Sequence, residues 1–459
     1  MKILILDVYS LTSARISKDT AGGFGTVNFF GTGIVPLLLT KLKNKAVDYP
    51  PLYSMYCAAV LRDSGHDVKY LKMNTKEIND ASFKEFDICF MTTSMVAHEC
   101  ELSAIRRLHS LRIPVGTIGS FAEIVPEPYL EAGAFVICGE PEFFLQEQAT
   151  NLRPLFSERG VIRAASSFGN VSTLPFPAWE IIWETTRPKY RLIGRSTKFL
   201  PILASRGCPY SCSFYCTYPI QQGKIIRARD PDEIVREMVY WKDRLGVDFY
   251  VFRDPVFSIN RSHTEDICKT IRKSGRSFKF VVETHLKNID YDLAVKLKEA
   301  GMVMVKVGIE SPSVTVRKNV YRTSLEDNKV IPRIRMLESL GIKVVCYYIL
   351  AMPEDTLDTC RETIKLAISL STYGAQFSVY TPYPGTQAFN EISGEITALS
   401  YENFTQWNLV YQHKNLSPKE VKNLLSRAYS SYYTNPSWLV KNAMTYVFGN
   451  TQHTNMEDV

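Results

Sequence analysis

The stretch SRGCPYSCSFYCTYP, residues 205–219, sets Cys208, Cys212 and Cys216 close together, with three residues in each gap. Thiolates bind soft metals, and cysteine is the usual ligand of zinc and iron–sulfur centres. A closed zinc site takes four ligands. None of the seven histidines (His66, His98, His109, His263, His285, His413 and His453) falls within about thirty residues of the group. Three local thiols with one open position suit a [4Fe–4S] cluster whose fourth iron holds a substrate or cofactor. A zinc site completed by a distant Cys or His stays open at this point. Chance clustering fits poorly, because Pro209, Tyr210, Ser211, Ser213 and Thr217 make the stretch a loop rather than a core strand. The other seven cysteines are scattered, several in apolar segments such as FDICFM and VVCYYIL, and read as buried small hydrophobes in a reducing compartment.

Around this loop the chain alternates strand and helix patterns. Strands are expected at 199–205, 248–253, 278–283, 303–309, 343–350 and 375–381, and helices at 231–245, 262–274, 290–300, 326–340 and 356–371. DPDE at 230–233 and TSLED at 323–327 read as helix starts, and Gly246, Gly301 and Gly341 as helix ends. Six such units predict a complete or partial barrel over 199–390, with its site at the carboxyl ends of the strands. The cysteine loop follows the first strand. Residues 1–150 alternate too, with strands at 3–7, 68–72, 87–92, 115–119 and 135–138 and helices at 53–64 and 98–110. This predicts an α/β, doubly wound parallel sheet with ligands outside its carboxyl ends. Between the two domains, 151–198 reads as a linker, and 391–459 as a helical, aromatic-rich region beginning at Ser417-Pro418. The glycine-rich insertion at 18–33 reads as a flexible flap, not as a phosphate loop.

The 459 residues are too many for one core, and 45% hydrophobic with 22% charged residues is a globular balance. A net charge of +7 is too mild to signal nucleic acid. MKILILDVYS reads as a strand rather than a signal peptide, and TGIVPLLLT at 32–40 is too short to span a bilayer. The expected compartment is the cytoplasm, with contact to a membrane surface left open.

RGCPYSC followed by a third cysteine after an aromatic resembles the radical S-adenosylmethionine (radical SAM) superfamily. FYVFRDPVFSIN (249–260), VVETHL (281–286), VKVGIES (305–311), YYILAMPEDT (347–356) and YTPYPGT (380–386) are similar, in order, to segments of its cobalamin-binding branch, as is the LPFPAW of the linker. The resemblance implies a Rossmann-like cobalamin-binding domain followed by a partial (β/α)6 TIM-like barrel. It implies that Cys208, Cys212 and Cys216 ligate a [4Fe–4S] cluster, and that S-adenosylmethionine chelates the open iron and yields a 5′-deoxyadenosyl radical. It further implies S-adenosylmethionine contacts from Phe252, Arg253, Asp254 and Pro255, from Glu310 and Ser311, from Tyr215 beside the adenine, and from Leu350, Ala351, Met352 and Pro353 along it. Glu283 is a weaker candidate, equally readable as a structural acid paired with Lys or Arg. For cobalamin, the candidates are Thr92, Thr93, Ser94, Gly119, Ser120, Gly139 and Glu140. Asp-x-His-x-x-Gly, which supplies a lower axial histidine, is missing, and His98 reads as a surface or helix-start residue; a domain that keeps the fold without the cofactor is the alternative.

Two departures stand out. Family spacing is three then two residues between cysteines, and here it is three then three. Ala351 stands where relatives often carry glycine. The reading favoured is a methyltransferase acting on an unactivated carbon. The alternatives are a cyclase or ring-rearranging oxidoreductase of the same build, and a non-catalytic cobalamin- or zinc-binding protein. A tRNA methylthiotransferase is disfavoured, because Cys57, Cys89, Cys100 and Cys138 do not form a second cluster set. Expected partners are a small-molecule, lipid or peptide substrate and an external flavodoxin- or ferredoxin-type electron donor, with no nucleic acid and no membrane span.

Overall fold

The computed structural model describes residues 1–9, 16–46, 49–74, 83–163, 168–186, 189–192, 195–322 and 326–448. Its first sheet comprises β1 (Lys2–Tyr9), β2 (Asp67–Asn74), β3 (Ile88–Thr92), β4 (Val115–Ile118), β5 (Phe135–Cys138) and β6 (Val161–Arg163). They lie in the order β2-β1-β3-β4-β5-β6, all parallel. β1 and β3 are buried on both faces, which is why ILIL and ICFM are continuous apolar runs rather than alternating ones. The strand order reverses between β1 and β3, and a crevice opens at such a switch point. Helices α1 (Ile34–Ala46), α2 (Leu52–Asp63), α3 (His98–Ser110) and α4 (Pro141–Gln148) connect the strands. The segment expected as a linker supplies β6, a strand of three residues and thus too short to show a period.

The second sheet comprises β7 (Leu200–Ile202), β8 (Phe249–Phe252), β9 (Lys279–Thr284), β10 (Met302–Glu310), β11 (Lys343–Leu350) and β12 (Gly374–Val379), parallel and in chain order. The sheet is open: β7 and β12 are its two edges. Phe249, Val251, Val281 and Met304 form a small inner cluster with Phe199. Their neighbours Tyr250, Phe252, Phe280, Val282 and Val305 join the large core under the helices. That alternation is the inside and outside of a half-barrel. Outside run α5 (Pro231–Leu245), α6 (Arg261–Lys273), α7 (Tyr291–Glu299), α8 (Asp327–Ser339) and α9 (Leu357–Leu370). Asp230 caps α5 through Asp232 N at 2.7 Å, and Gly246 ends it at φ 68°. Of TSLED, Thr323–Leu325 lie outside the described residues.

The aromatic C-terminal region covers an edge. α10 (Pro418–Tyr433) opens on a Ser417/Glu420 capping box. The Tyr429 hydroxyl donates to Phe377 O at 2.9 Å and accepts from Phe377 N at 3.0 Å. Tyr433 does the same for Ala375, at 3.0 and 3.3 Å. Two phenols thus bond backbone groups of edge strand β12 that no neighbouring strand takes up.

Candidate functional site

The cysteine loop begins after Ser205–Arg206, which pairs antiparallel with Arg227–Ala228. Cys208 N donates to Gly223 O at 3.1 Å, so the loop returns on itself. Cys216 N donates to Cys212 O at 3.0 Å. The four-residue step between these cysteines is therefore one helical turn, which sets both on one side. Cys208 and Cys212 are buried and Cys216 is half-buried. Burial pushes the Cys208 and Cys216 thiols up, and the charge of Cys212 adds to it. Arg322 Nη1 stands 3.7 Å from Cys212 Sγ. Among the described residues, no three His, Cys, Asp or Glu side chains are drawn together as a metal-binding set, these thiols included. The fit to a cluster therefore rests on the donor type and on thiols that share one loop and repel one another when ionised.

The other expected residues fall into three groups. Phe252 packs against Phe257 and Phe280, so only its backbone is available to a ligand. The Asp254 carboxylate accepts from Ala204 N at 3.0 Å, from Ser205 Oγ at 2.7 Å and from Ser205 N. It braces the chain that leads into the cysteine loop, and burial pushes its carboxyl up to about 6. A second group lines the barrel interior. Arg253 donates to Asp19 O at 3.0 Å and lies over the Tyr49 ring, Pro255 is half-buried beside it, and Glu283 accepts from Tyr347 Oη at 3.3 Å. The third group gathers near Cys212. At a register shift in β10, Glu310 adopts φ 66° and meets Arg322 Nη2 at 2.9 Å. Burial pushes the Glu310 carboxyl up, against the pull of Arg322. Ser311 Oγ accepts from Thr363 Oγ1 at 3.2 Å. Tyr215 packs beside Tyr380, the rings tilted by 53°. Leu350, Ala351 and Met352 are fully buried at the end of β11, Ala351 at φ 57°, with half-buried Pro353 following.

At the carboxyl ends of the first sheet lies a narrow cleft of about 40 Å³. Thr92, Thr93, Gly119, Ser120, Gly139 and Glu140 all line it; Ser94 does not, its N and Oγ being bonded to Glu101. Thr93 Oγ1 is buried without a hydrogen-bond partner, and so is Gln221 Oε1, which enters the cleft from the barrel side. A Cβ on Gly119 would meet Thr93 Oγ1 at 2.5 Å. Two unsatisfied polar atoms and a close glycine wall fit a polar ligand. So narrow a cleft admits only one edge of a corrinoid, whose remainder would lie outside it.

The glycine insertion is packed rather than free. Gly22, at φ 58°, approaches Thr217 so closely that a Cβ would lie 2.6 Å from its backbone. Thr217 Oγ1 donates to Ala21 O at 2.7 Å. Gly23 faces Ser120. The insertion is thus wedged between the cleft and the cysteine loop. His98 does open α3, but it is buried rather than at the surface, with Nδ1 3.1 Å from Tyr129 Oη.

Sequence reasoning passed over the charges around this junction. Arg206 is wholly buried, pairs with Glu140 at 2.8 Å and with Glu142, and lies over Tyr53, Tyr56 and Phe143. Arg227 holds Glu140 from the other side with two 2.7 Å bonds. Lys18 bonds Asp7 at 3.0 Å and Glu101 at 2.7 Å on the cleft floor. The one available signal was the Glu-x-Glu at a strand end, since two acids there need cations when buried.

A half-barrel with a three-cysteine loop after its first strand thus stands beside a doubly wound sheet with a cleft at its strand ends. Residues 202–367 match the model of the radical SAM superfamily. The chain is 25% identical over 421 residues to an uncharacterized methyltransferase of Pyrococcus horikoshii, covering 85% of this chain and 89% of that one. It is 22% identical over 429 residues to the anaerobic magnesium-protoporphyrin IX monomethyl ester cyclase of Rubrivivax gelatinosus, covering 86% and 75%. Among solved structures, the radical SAM methyltransferase TsrM of Kitasatospora setae superposes with a TM-score of 0.65 at 15% identity, covering 98% of this chain and 97% of that one. TsrM has also been solved with cobalamin and a [4Fe–4S] cluster bound. The shared architecture is two-domain and nearly end to end.

Proposed function

We propose that the chain is a cobalamin-dependent radical SAM methyltransferase acting on a carbon centre of a small-molecule substrate. The observation that carries the reading is Gln221. It lies five residues beyond Cys216, yet lines the cleft of the first domain with an unsatisfied Oε1. A corrinoid in the cleft and a cluster on the loop would therefore be neighbours. Thr93, Gly119, Ser120 and Gly139 would cradle the corrinoid. Cys208, Cys212 and Cys216 would hold the cluster, with Arg322 offsetting thiolate charge beside Cys212. Glu310, Ser311 and the backbone at Phe252–Pro255 would hold the polar groups of S-adenosylmethionine, with Leu350–Pro353 and Tyr215 packing along its base. When bound, these groups supply an electron, a carbon-centred radical and a methyl donor. The chain's own part is positioning and exclusion of water: the packed insertion at 18–33 covers the junction, and the aromatic walls keep it dry.

The test is anaerobic turnover with reductant, S-adenosylmethionine and methylcobalamin. Methyl transfer gives 5′-deoxyadenosine and a product heavier by one methylene, whereas loss of hydrogen or gain of oxygen favours the cyclase reading that the Rubrivivax relative motivates. Formation of no 5′-deoxyadenosine would sink both. A flavodoxin- or ferredoxin-type donor and a cytoplasmic setting belong to the same proposal.

A further inference from the structure

Helix α1 turns an aliphatic arc to solvent. That arc carries Ile34, Leu37, Leu38 and Leu42, which are 88%, 47%, 55% and 52% exposed. Its inward arc mixes buried Pro36 and half-buried Leu39, which packs on the core, with polar groups: Thr40 is buried, accepting from Phe30 N at 3.1 Å, and Asn44 accepts from Asn28 Nδ2 at 3.0 Å. Lys43 is half-buried, with its ammonium over Phe30. A surface helix ordinarily keeps its aliphatic arc turned inward. Leaving four aliphatic side chains in water forgoes stabilisation that a covering partner would supply.

The helix also has a telling place. It packs beside α10, which covers β12, and beside the hairpin Lys189–Leu192/Arg195–Lys198, which leads into β7. It therefore lies over the seam where the half-barrel fails to close. Tyr49, just beyond it, packs on Phe199 of the inner cluster.

We propose that α1 docks this seam onto an anionic bilayer surface. Charge selects the occupant. The helix holds no acid and turns Lys41 to solvent, and the sequence of the neighbouring hairpin holds Lys189, Arg191, Arg195 and Lys198 and no acid. Such a patch repels a second copy of itself. Each basic residue is drawn toward an anionic lipid surface. An apolar helix arc flanked by cations is the arrangement of helices that lie in the plane of a membrane interface. At 13 residues, α1 is about 20 Å long, too short to cross a bilayer. Among the described residues, no helix is long and apolar enough to do so.

The test is flotation of the purified full chain with vesicles of phosphatidylcholine alone, or mixed equally with phosphatidylglycerol. The chain should float with the anionic vesicles at low salt, about tenfold more than with the neutral ones. Leu38→Ser with Leu42→Ser should abolish flotation while leaving thermal stability and iron content unchanged, since both side chains are exposed. Lys189→Glu with Arg191→Glu should make the binding fail at lower salt. No flotation of the unaltered chain on anionic vesicles would overturn the proposal. So would flotation that the serine pair leaves intact. A chain that does not float, but is dimeric by light scattering and made monomeric by the serine pair, would assign the face to a second copy.

Discussion

Arg206 and Glu140 form a buried ion pair of 2.8 Å across the boundary between the two sheets. Arg206 stands two residues before Cys208, and Glu140 lines the cleft. One guanidinium thus ties the cysteine loop to the wall of the cleft. Glu140 keeps Arg227 as a second partner, but among the described residues Glu142 pairs with Arg206 alone. Removing the arginine should leave the Glu142 charge uncompensated in a dry site. Arg206→Met should lose about 3 kcal/mol in urea denaturation. Arg206→Met with Glu142→Gln should recover a clear part of that loss, because no orphan charge remains. Equal losses in the single and double variants would mean that the pair with Glu142 contributes nothing.

Thr93 allows binding to be separated from folding. Its hydroxyl is buried and has no hydrogen-bond partner among the described residues. Replacing it by a group of the same shape removes an unsatisfied atom from the folded state. Thr93→Val should therefore be as stable as the parent, or slightly more so, while taking up less cobalamin at a given concentration. Corrin absorbance after anaerobic desalting measures the second quantity, and iron content should not change. A drop in stability with unaltered corrinoid uptake would mean that the hydroxyl serves the fold.

Asp254 gives a pH signature. Burial raises its folded-state value to about 6, above the ordinary 3.8. In that interval the folded chain binds the proton more tightly than the unfolded chain does. This group's contribution to stability therefore falls as pH rises from about 4 to about 6. Asp254→Asn should remove that fall. The difference in denaturation midpoint between parent and variant should slope across this interval and flatten above it. Asp19, also raised to about 6 by burial, stays in both proteins and cancels in the difference.

Local pattern carried much of this structure into the sequence. β5, β11, α3 and α5 occupy the expected residues, because glycine ends, caps and apolar runs are local signals. Six of the seven cleft candidates were placed by one rule about strand ends, and the cleft is where that rule puts it. Ala351 was noted only as a departure from glycine; its φ of 57° gives the physical reason that glycine suits the position. Pairings between distant segments were not legible. Nothing in the spacing of Arg206 and Glu142, or of Tyr429 and Phe377, announces a contact. The insertion at 18–33 looked free because its glycines signal flexibility in isolation, whereas here they permit close approach to Thr217 and Ser120.

The three-plus-three cysteine spacing is the sharpest remaining test. The bond from Cys216 N to Cys212 O makes the longer gap a full helical turn, which keeps Cys216 on the side of Cys212. If Cys216 is the third ligand, Cys216→Ala should lose the cluster's visible absorbance and most of its iron after anaerobic reconstitution, and 5′-deoxyadenosine formation with it. Cys346→Ala, which alters a fully buried thiol inside β11, should keep its iron. Deleting Phe214 would restore the family spacing but remove a residue from that turn and swing Cys216 off the shared side, so it should behave like Cys216→Ala. Normal iron in the Cys216→Ala protein would assign the third ligand elsewhere.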